Sequence, residues 1–378
     1  MKVIIATDSY KGSLSSLEAG EAIAQGIKNF DKNIETFVSP LADGGEGTSF
    51  ALTHTLGGKT VTANVHAPLG NIVEARYGLI ENRHLAVIEM AEASGLSLVP
   101  TDKRNPLYTS SIGTGEMILD AIKRGCRDFI IGIGGSATND GGIGMLSALG
   151  YEFMDEDNKP VPAGAIGLSM LTHINSEKVI HELKDCNFII ACDVNNPLCG
   201  PNGCSAIYGP QKGATPEMVK DIDLWLKNYA ALTKSVNPEA SDLTEGAGAA
   251  GGLGYAFLSY TNASLKPGID IVLEETNIEE HIKEADLVIT GEGRLDAQSV
   301  MGKAPTGIAK LAKKYNKKVI AIAGCLTEDA KECNAHGIDA FFAVVPGAVS
   351  LEEAMNPENA KNNIKNVVEQ VFRAITLW

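Results

Sequence analysis

The chain has 378 residues, of which 44% are hydrophobic and 21% charged, a balance that excludes disordered, collagen-like and membrane-spanning classes. At about 100–200 residues per domain, this length implies two domains. The formal net charge of −15, from 32 basic and 47 acidic residues, argues against nucleic acid as a partner, because neutralising phosphates needs a concentrated basic face.

Lys2–Thr7 is a short apolar run closed by Asp8, the pattern of a strand buried on both faces, and residues 15–27 follow with helical spacing. The first residues carry neither a secretory nor a transit pattern, so a cytoplasmic protein is expected. A second βα unit is predicted over residues 35–56, stopped by Gly57 and Gly58. Residues 60–88 alternate apolar and polar positions with turns at 68–71 and 81–83, which predicts an antiparallel meander. A helix over Ile112–Lys123, a strand at 129–133, a helix at 141–149 and a strand at 188–191 come next, while 160–182 gives little signal. Beyond Glu279 regular alternation returns, with strands at 287–290, 318–323 and 340–345 and helices at 299–313, 329–336 and 360–376. The expected fold is therefore α/β. Residues 1–66 and 286–378 form a doubly wound, Rossmann- or flavodoxin-like parallel-sheet domain, residues 67–285 form a mixed α/β domain inserted in it, and the active site lies in the cleft between them.

The seven cysteines read as reduced thiols, and the gaps separating Cys192, Cys199 and Cys204 lack the pairing of a structural zinc site. Glycine is the unusual residue, 40 of 378 against an ordinary usage of about 7%. The glycines gather where apolar runs end, which in open parallel sheets is where ligands bind. Four loops follow from this. In Asp8-Ser9-Tyr10-Lys11-Gly12-Ser13, Lys11 and the helix start can hold an anion while Asp8 binds a cation or orients a hydroxyl. Asp43-Gly44-Gly45-Glu46-Gly47 can bring backbone N–H groups close to a ligand. Gly132 to Gly144 contains six glycines with Ser136, Thr138, Asn139 and Asp140 between them, far more than a connector of about two to six residues needs. In Gly291-Glu292-Gly293-Arg294-Leu295-Asp296, Arg294 can clamp a carboxylate or phosphate, and Glu292 or Asp296 can hold Mg²⁺. Asp193, after the run at 188–191, and the basic turn around Lys212 are weaker candidates. That turn reads equally as anion-binding or exposed.

Other chemistries are poorly supported. No G-x-x-x-x-G-K-[ST] loop occurs, which excludes a P-loop kinase, and no G-x-S-x-G elbow occurs. Residues 246–251 fit G-x-G-x-x-G but follow no buried strand, and read as a close-packed glycine start to a helix. Gly132-x-Gly134-x-x-Ala137, with Asp155 about 20 residues on, fits better, and it is the basis of an alternative reading as an NAD(P)-dependent dehydrogenase of a small hydroxy acid. A periplasmic-type binding protein is a third class, opposed by the lack of a signal pattern.

Convergent N–H donors, a few cations and several carboxylates together suit polyphosphate with Mg²⁺. The segments 8–15, 40–48, 132–142, 246–254 and 290–296 jointly resemble the bacterial glycerate kinase family, in the family's order and over essentially the whole chain. The resemblance implies a two-domain enzyme using ATP and Mg²⁺ to phosphorylate D-glycerate, with 2-phosphoglycerate favoured over 3-phosphoglycerate, as a monomer or homodimer. On that footing ATP phosphates lie against Gly134, Gly135, Ser136, Thr138, Asn139, Asp140 and Gly141. Asp8, Ser9, Asp43, Gly44 and Arg294 bind substrate, with Lys11 or Arg294 gripping the glycerate carboxylate. Lys11, Asp193, Arg294 and Asp296 are the catalytic set, with Asp193 or Asp296 orienting or deprotonating the hydroxyl, and Glu292 and Asp296 hold the metal.

Overall fold

Strand Lys2–Thr7 is buried along almost its whole length. The helix that follows, Ser16–Phe30, starts at a capping box in which Ser15 accepts the Glu18 N–H and Glu18 accepts the Ser15 N–H at 3.0 Å. The computed structural model describes residues 1–300 and 302–376, and the chain divides into two units.

The first unit comprises Met1–Asp43, His54–Leu56 and the chain from Ile269 onward. Its sheet is wholly parallel, in the order Ala340–Ala343, Lys318–Leu326, Leu287–Leu295, Lys2–Thr7, Glu35–Val38. Ser16–Phe30 and the last helix, Pro357–Ile375, bury Ile23, Ile27, Ile364, Val368 and Phe372 with Val3, Ile5, Ile289 and Ile322 of the sheet. From Lys2–Thr7 the chain moves to one side for its second strand, whereas from Leu287–Leu295 it moves to the other for the last two. The winding thus reverses between these two central strands, and the segments leaving their carboxyl ends begin at Asp8 and Asp296. Such a switch point opens a crevice in an open α/β sheet.

The second unit comprises Gly44–Thr53 and Gly57–Gly268. Its six strands run in the order Asn262–Lys266, Asn187–Ala191, Asp128–Gly132, Leu85–Glu89, Ile72–Ile80, Lys59–His66, with the first four mutually parallel and the last two antiparallel additions. Phe129 and Phe188 stack in its core at 4.8 Å between ring centroids.

Two boundaries differ from the sequence reading. Lys59–His66, expected in the first domain, pairs along its full length with Ile72–Ile80, because its alternating exposure suits the edge of an antiparallel hairpin rather than a doubly covered strand. At the other end, helices Gly268–Thr276 and Ile278–Lys283 precede strand Leu287–Leu295 and fall almost wholly in the first unit, which begins again at Ile269 rather than 286. The weak region at 160–182 contains a single turn of helix, Ala165–Leu168, and half of the small hairpin Glu152–Met154 with His173–Asn175. The segment read as a helix at 329–336 is a 3₁₀ helix, Glu328–His336. Among the described residues no helix is long and apolar enough to cross a membrane.

Candidate active site

A cavity of about 310 Å³ opens at the carboxyl edge of the first unit's sheet, lined by the polar Asp8, Lys11, Asp43, Glu292, Arg294 and Lys303 and by the apolar Val344, Leu351 and Met355. The loop after Lys2–Thr7 is pinned at Tyr10, whose hydroxyl donates to the Ile322 carbonyl at 2.7 Å and whose N–H donates to the Leu14 carbonyl at 2.8 Å. Lys11 is thereby held at an exposed tip. Gly293 lets the second loop approach the first: a Cβ there would lie 3.2 Å from Tyr10 Cα and 3.4 Å from Lys11 N. The two loops singled out from the sequence at 8–13 and 291–296 are thus brought together, with Asp43 beside them.

Charge in this pocket is layered. Asp8 is buried and accepts the Ser9 N–H at 2.6 Å; desolvation and the neighbouring Asp43 push its carboxyl up to about 7, against the opposing pull of Lys11. Glu292 is also raised by burial, although it accepts the Ser299 hydroxyl at 2.5 Å and has Lys303 at 4.0 Å. Arg294 is exposed and pairs with Asp296 at 3.4 Å, while Asp296 also accepts the Gln298 N–H at 2.9 Å. Cations therefore stand at the mouth and carboxylates deeper in.

The second unit gathers the other two loops. Gly44 adopts φ +88, and a Cβ on it would meet Ala191 Cβ at 2.8 Å and Gly268 Cα at 2.9 Å. A Cβ on Gly132 would meet the Gly44 carbonyl at 2.5 Å, and one on Gly134 would stand 3.8 Å from Gly45 Cα. Glycine is needed at 44 and 132, where an added Cβ would collide with its neighbours, whereas at 134 there is room for one. Asp193, at the end of the adjacent strand, is exposed and accepts the Gly268 N–H at 3.0 Å. Glu89 ends the next strand and accepts the Ser49 N–H at 2.8 Å; burial pushes it up to about 7.

Within the long glycine loop only Gly134 and Gly135 are exposed. Asp140 is buried and accepts the Ser111 N–H and hydroxyl, both at 2.8 Å, and the Gly142 N–H at 3.2 Å. Asn139 donates to Ser205 Oγ at 2.8 Å. Ser136, Thr138 and Gly141 likewise face inward. The glycines at 246–252 pack beneath them: Gly141 N–H donates to the Gly251 carbonyl at 3.0 Å, and a Cβ on Gly251 would lie 2.0 Å from the Thr138 carbonyl oxygen. No dinucleotide fingerprint exists at either place, since the helix after the long loop begins only at Ile143 and Asp155 caps a hairpin turn by accepting the Asp157 and Lys159 N–H groups. The turn around Lys212, read as anion-binding or exposed, is neither on the surface nor open: Lys212 is 2% exposed and donates to Ser136 Oγ at 2.7 Å and the Thr138 carbonyl at 2.6 Å.

The family model for the glycerate kinase family matches residues 3–376. The chain belongs to the glycerate kinase family. It is 48% identical over 377 residues to the glycerate kinase of Bacillus subtilis strain 168, covering 100% of this chain and 98% of that one. It is also 48% identical over 355 residues to the glycerate 2-kinase of Escherichia coli K12, covering 94% and 93%. A solved crystal structure from Salmonella typhimurium LT2 is similar over 100% of this chain and 98% of its own, at 46% identity and a TM-score of 0.92. The protein is accordingly a phosphotransferase with an alcohol acceptor, built on the mixed α/β fold described above.

Proposed function

We propose that the enzyme transfers the γ-phosphoryl group of ATP to the 2-hydroxyl of D-glycerate, forming 2-phosphoglycerate in organic-acid breakdown. The observation that carries this reading is the pocket at the switch point, where Lys11 and Arg294 stand at the mouth of a cavity whose interior is acidic. An exposed guanidinium suits a carboxylate through two parallel N–H bonds, so Arg294, with Lys11, grips the glycerate carboxylate. The exposed turn at Gly134 and Gly135 receives the ATP phosphates, and the inward-facing residues after it keep its shape. Asp43 lines the pocket, and Gly44, which follows it in sequence, belongs to the glycine cluster.

Asp8 suits the role of base better than Asp193 or Asp296. It is buried in the pocket near Lys11, whereas Asp296 accepts the Gln298 N–H and is given to the metal, and Asp193 holds Gly268. The glycerate hydroxyl gives its proton to Asp8 as its oxygen bonds to the γ-phosphorus and the bond to the bridging oxygen of ADP breaks. Glu292 and Asp296 offer hard oxygen donors, and among the described residues no three acidic, histidine or cysteine side chains form a preformed metal cage. That fits Mg²⁺ held by one or two carboxylates together with substrate phosphates and water. When bound, Mg²⁺ neutralises charge on the phosphate oxygens. Incubation with Mg-ATP and D-glycerate, read by phosphorus NMR, tests the reading: a 2-phosphoglycerate signal supports it, and 3-phosphoglycerate or ADP formation independent of glycerate overturns it.

A further inference from the structure

Lys212 is a buried cation that the reaction as described does not use. It ends the turn Pro210–Lys212 and is followed by Gly213 at φ +92. Both hydrogen-bond partners of its ammonium, Ser136 Oγ and the Thr138 carbonyl, are uncharged. Among the described residues it forms no ion pair; Asp140, whose charge it feels, is occupied with Ser111 and Gly142. Burial pulls the ammonium down to about 8. A buried charge without an ionic partner is costly, and an apolar side chain of similar length would fill the same space more cheaply.

The place of this charge suggests what retains it. Ser136 and Thr138 directly follow the exposed Gly134 and Gly135. The carbonyls of this turn are drawn inward on two sides, Gly135 O by the Leu96 N–H at 2.8 Å and Thr138 O by Lys212 at 2.6 Å. Turning carbonyls inward removes the negative ends of peptide dipoles from a surface meant for an anion. The segment Cys204–Lys212 supports the loop twice, through Ser205 to Asn139 and through Lys212. We propose that Lys212 is a positioning residue for the nucleotide: it holds the inner side of the 134–138 turn and sets a full positive charge directly beneath the surface on which the ATP phosphates rest. This deepens the assignment of that turn to phosphate and rests on it.

The test compares Mg-ATP affinity by titration calorimetry, and KM for each substrate, in the wild type and in Lys212→Gln, Lys212→Met, Ser136→Ala and Gly134→Val. Lys212→Gln keeps a donor for the Thr138 carbonyl but removes the charge, and it serves if the methionine variant fails to fold. Either Lys212 change should weaken Mg-ATP binding by about tenfold to thirtyfold, the size of one unit-charge interaction at about 8–12 Å with an effective dielectric of about 20. The KM for glycerate should move less than about twofold, and Ser136→Ala, which keeps the charge, should lose less than about threefold. Gly134→Val alters an exposed residue whose added Cβ would meet only Gly45 Cα at 3.8 Å, and it should abolish nucleotide binding. If Gly134→Val loses Mg-ATP while Lys212→Gln binds it like the wild type, the role of Lys212 is overturned and the loop assignment stands. If Gly134→Val binds normally, the loop assignment itself is overturned. A Lys212→Gln variant in which both KM values rise together, with a lowered Tm, shows structural support alone and overturns the proposal.

Discussion

At the scale of single residues, the proposed roles of the pocket's side chains separate binding from reaction. Lys11 is exposed at the tip of a turn that Tyr10 holds, so removing its charge should leave the fold intact. Lys11→Met is expected to lower turnover by about two orders of magnitude or more with Tm nearly unchanged, and an active variant would refute the placement. Asp8→Asn should lower kcat by about 10²–10⁴, the usual contribution of a positioned base, with nucleotide KM little affected; steady-state kinetics decide it. Glu89 offers a separate test of burial. Its carboxyl is raised above the ordinary 4.5 to about 7, chiefly by desolvation, so the native state holds its proton more tightly than the unfolded chain between those values. Its contribution to stability therefore falls as pH rises across that window. Glu89→Gln should melt above the wild type near about pH 8 and close to it near about pH 4; a lower Tm at both would mean that the hydrogen bond to Ser49 outweighs the buried charge.

Elements show what pattern alone could and could not carry. The buried parallel strands at Lys2–Thr7 and Leu287–Leu295 were legible because continuous apolar runs end in acid or glycine, and the rule that ligands gather at carboxyl ends then pointed to Asp8, Lys11, Glu292 and Arg294, which line one pocket. The same rule applies to Glu89, but Leu85–Glu89 lies inside an alternating meander and reads as antiparallel, which holds for its pairing with Ile72–Ile80, while its other edge pairs parallel with Asp128–Gly132. Inward and outward directions in the glycine loop were not legible, because polar residues among glycines look alike whether they face a ligand or, like Asp140, their own backbone. Burial of Lys212 had no signal at all, since a basic residue between Pro and Gly is ordinarily a surface turn. The helix Ala249–Tyr260 illustrates why its glycines are there: its first turn contains Ala250, Gly251 and Gly252 at positive φ, pressed on the loop above. Gly251→Ala would strain φ +69 and drive a Cβ against the Thr138 carbonyl. It should cost about 2–4 kcal/mol by denaturant titration and weaken nucleotide binding with it, while a neutral result would deny that this packing shapes the loop.

The molecule as a whole is one α/β unit interrupted by another. Each has its own core, one built on Val3, Ile23, Ile289 and Phe372 and the other on Phe129, Phe188, Tyr229 and Phe257. The return of regular alternation late in the chain made an insertion legible as an expectation. The points of entry and exit were not, because they fall at Asp43–Gly44 and Gly268–Ile269 inside segments without a change of composition. At those points the two ends of the second unit touch, since a Cβ on Gly44 would lie 2.9 Å from Gly268 Cα. Insertions whose ends meet are the ones chains accommodate, as neither host nor guest must stretch to close. A fragment of residues 44–268 should therefore fold alone, with a cooperative melt and fixed near-ultraviolet circular dichroism, because its core and all six strands of its sheet lie within those bounds. It should bind Mg-ATP in calorimetry, since Gly134, Gly135 and Lys212 are all in it, and should make no 2-phosphoglycerate, since Asp8, Lys11 and Arg294 are not. A fragment that folds but does not bind nucleotide would move the phosphate site to the first unit, where the pocket around Lys11 would then have to serve both substrates.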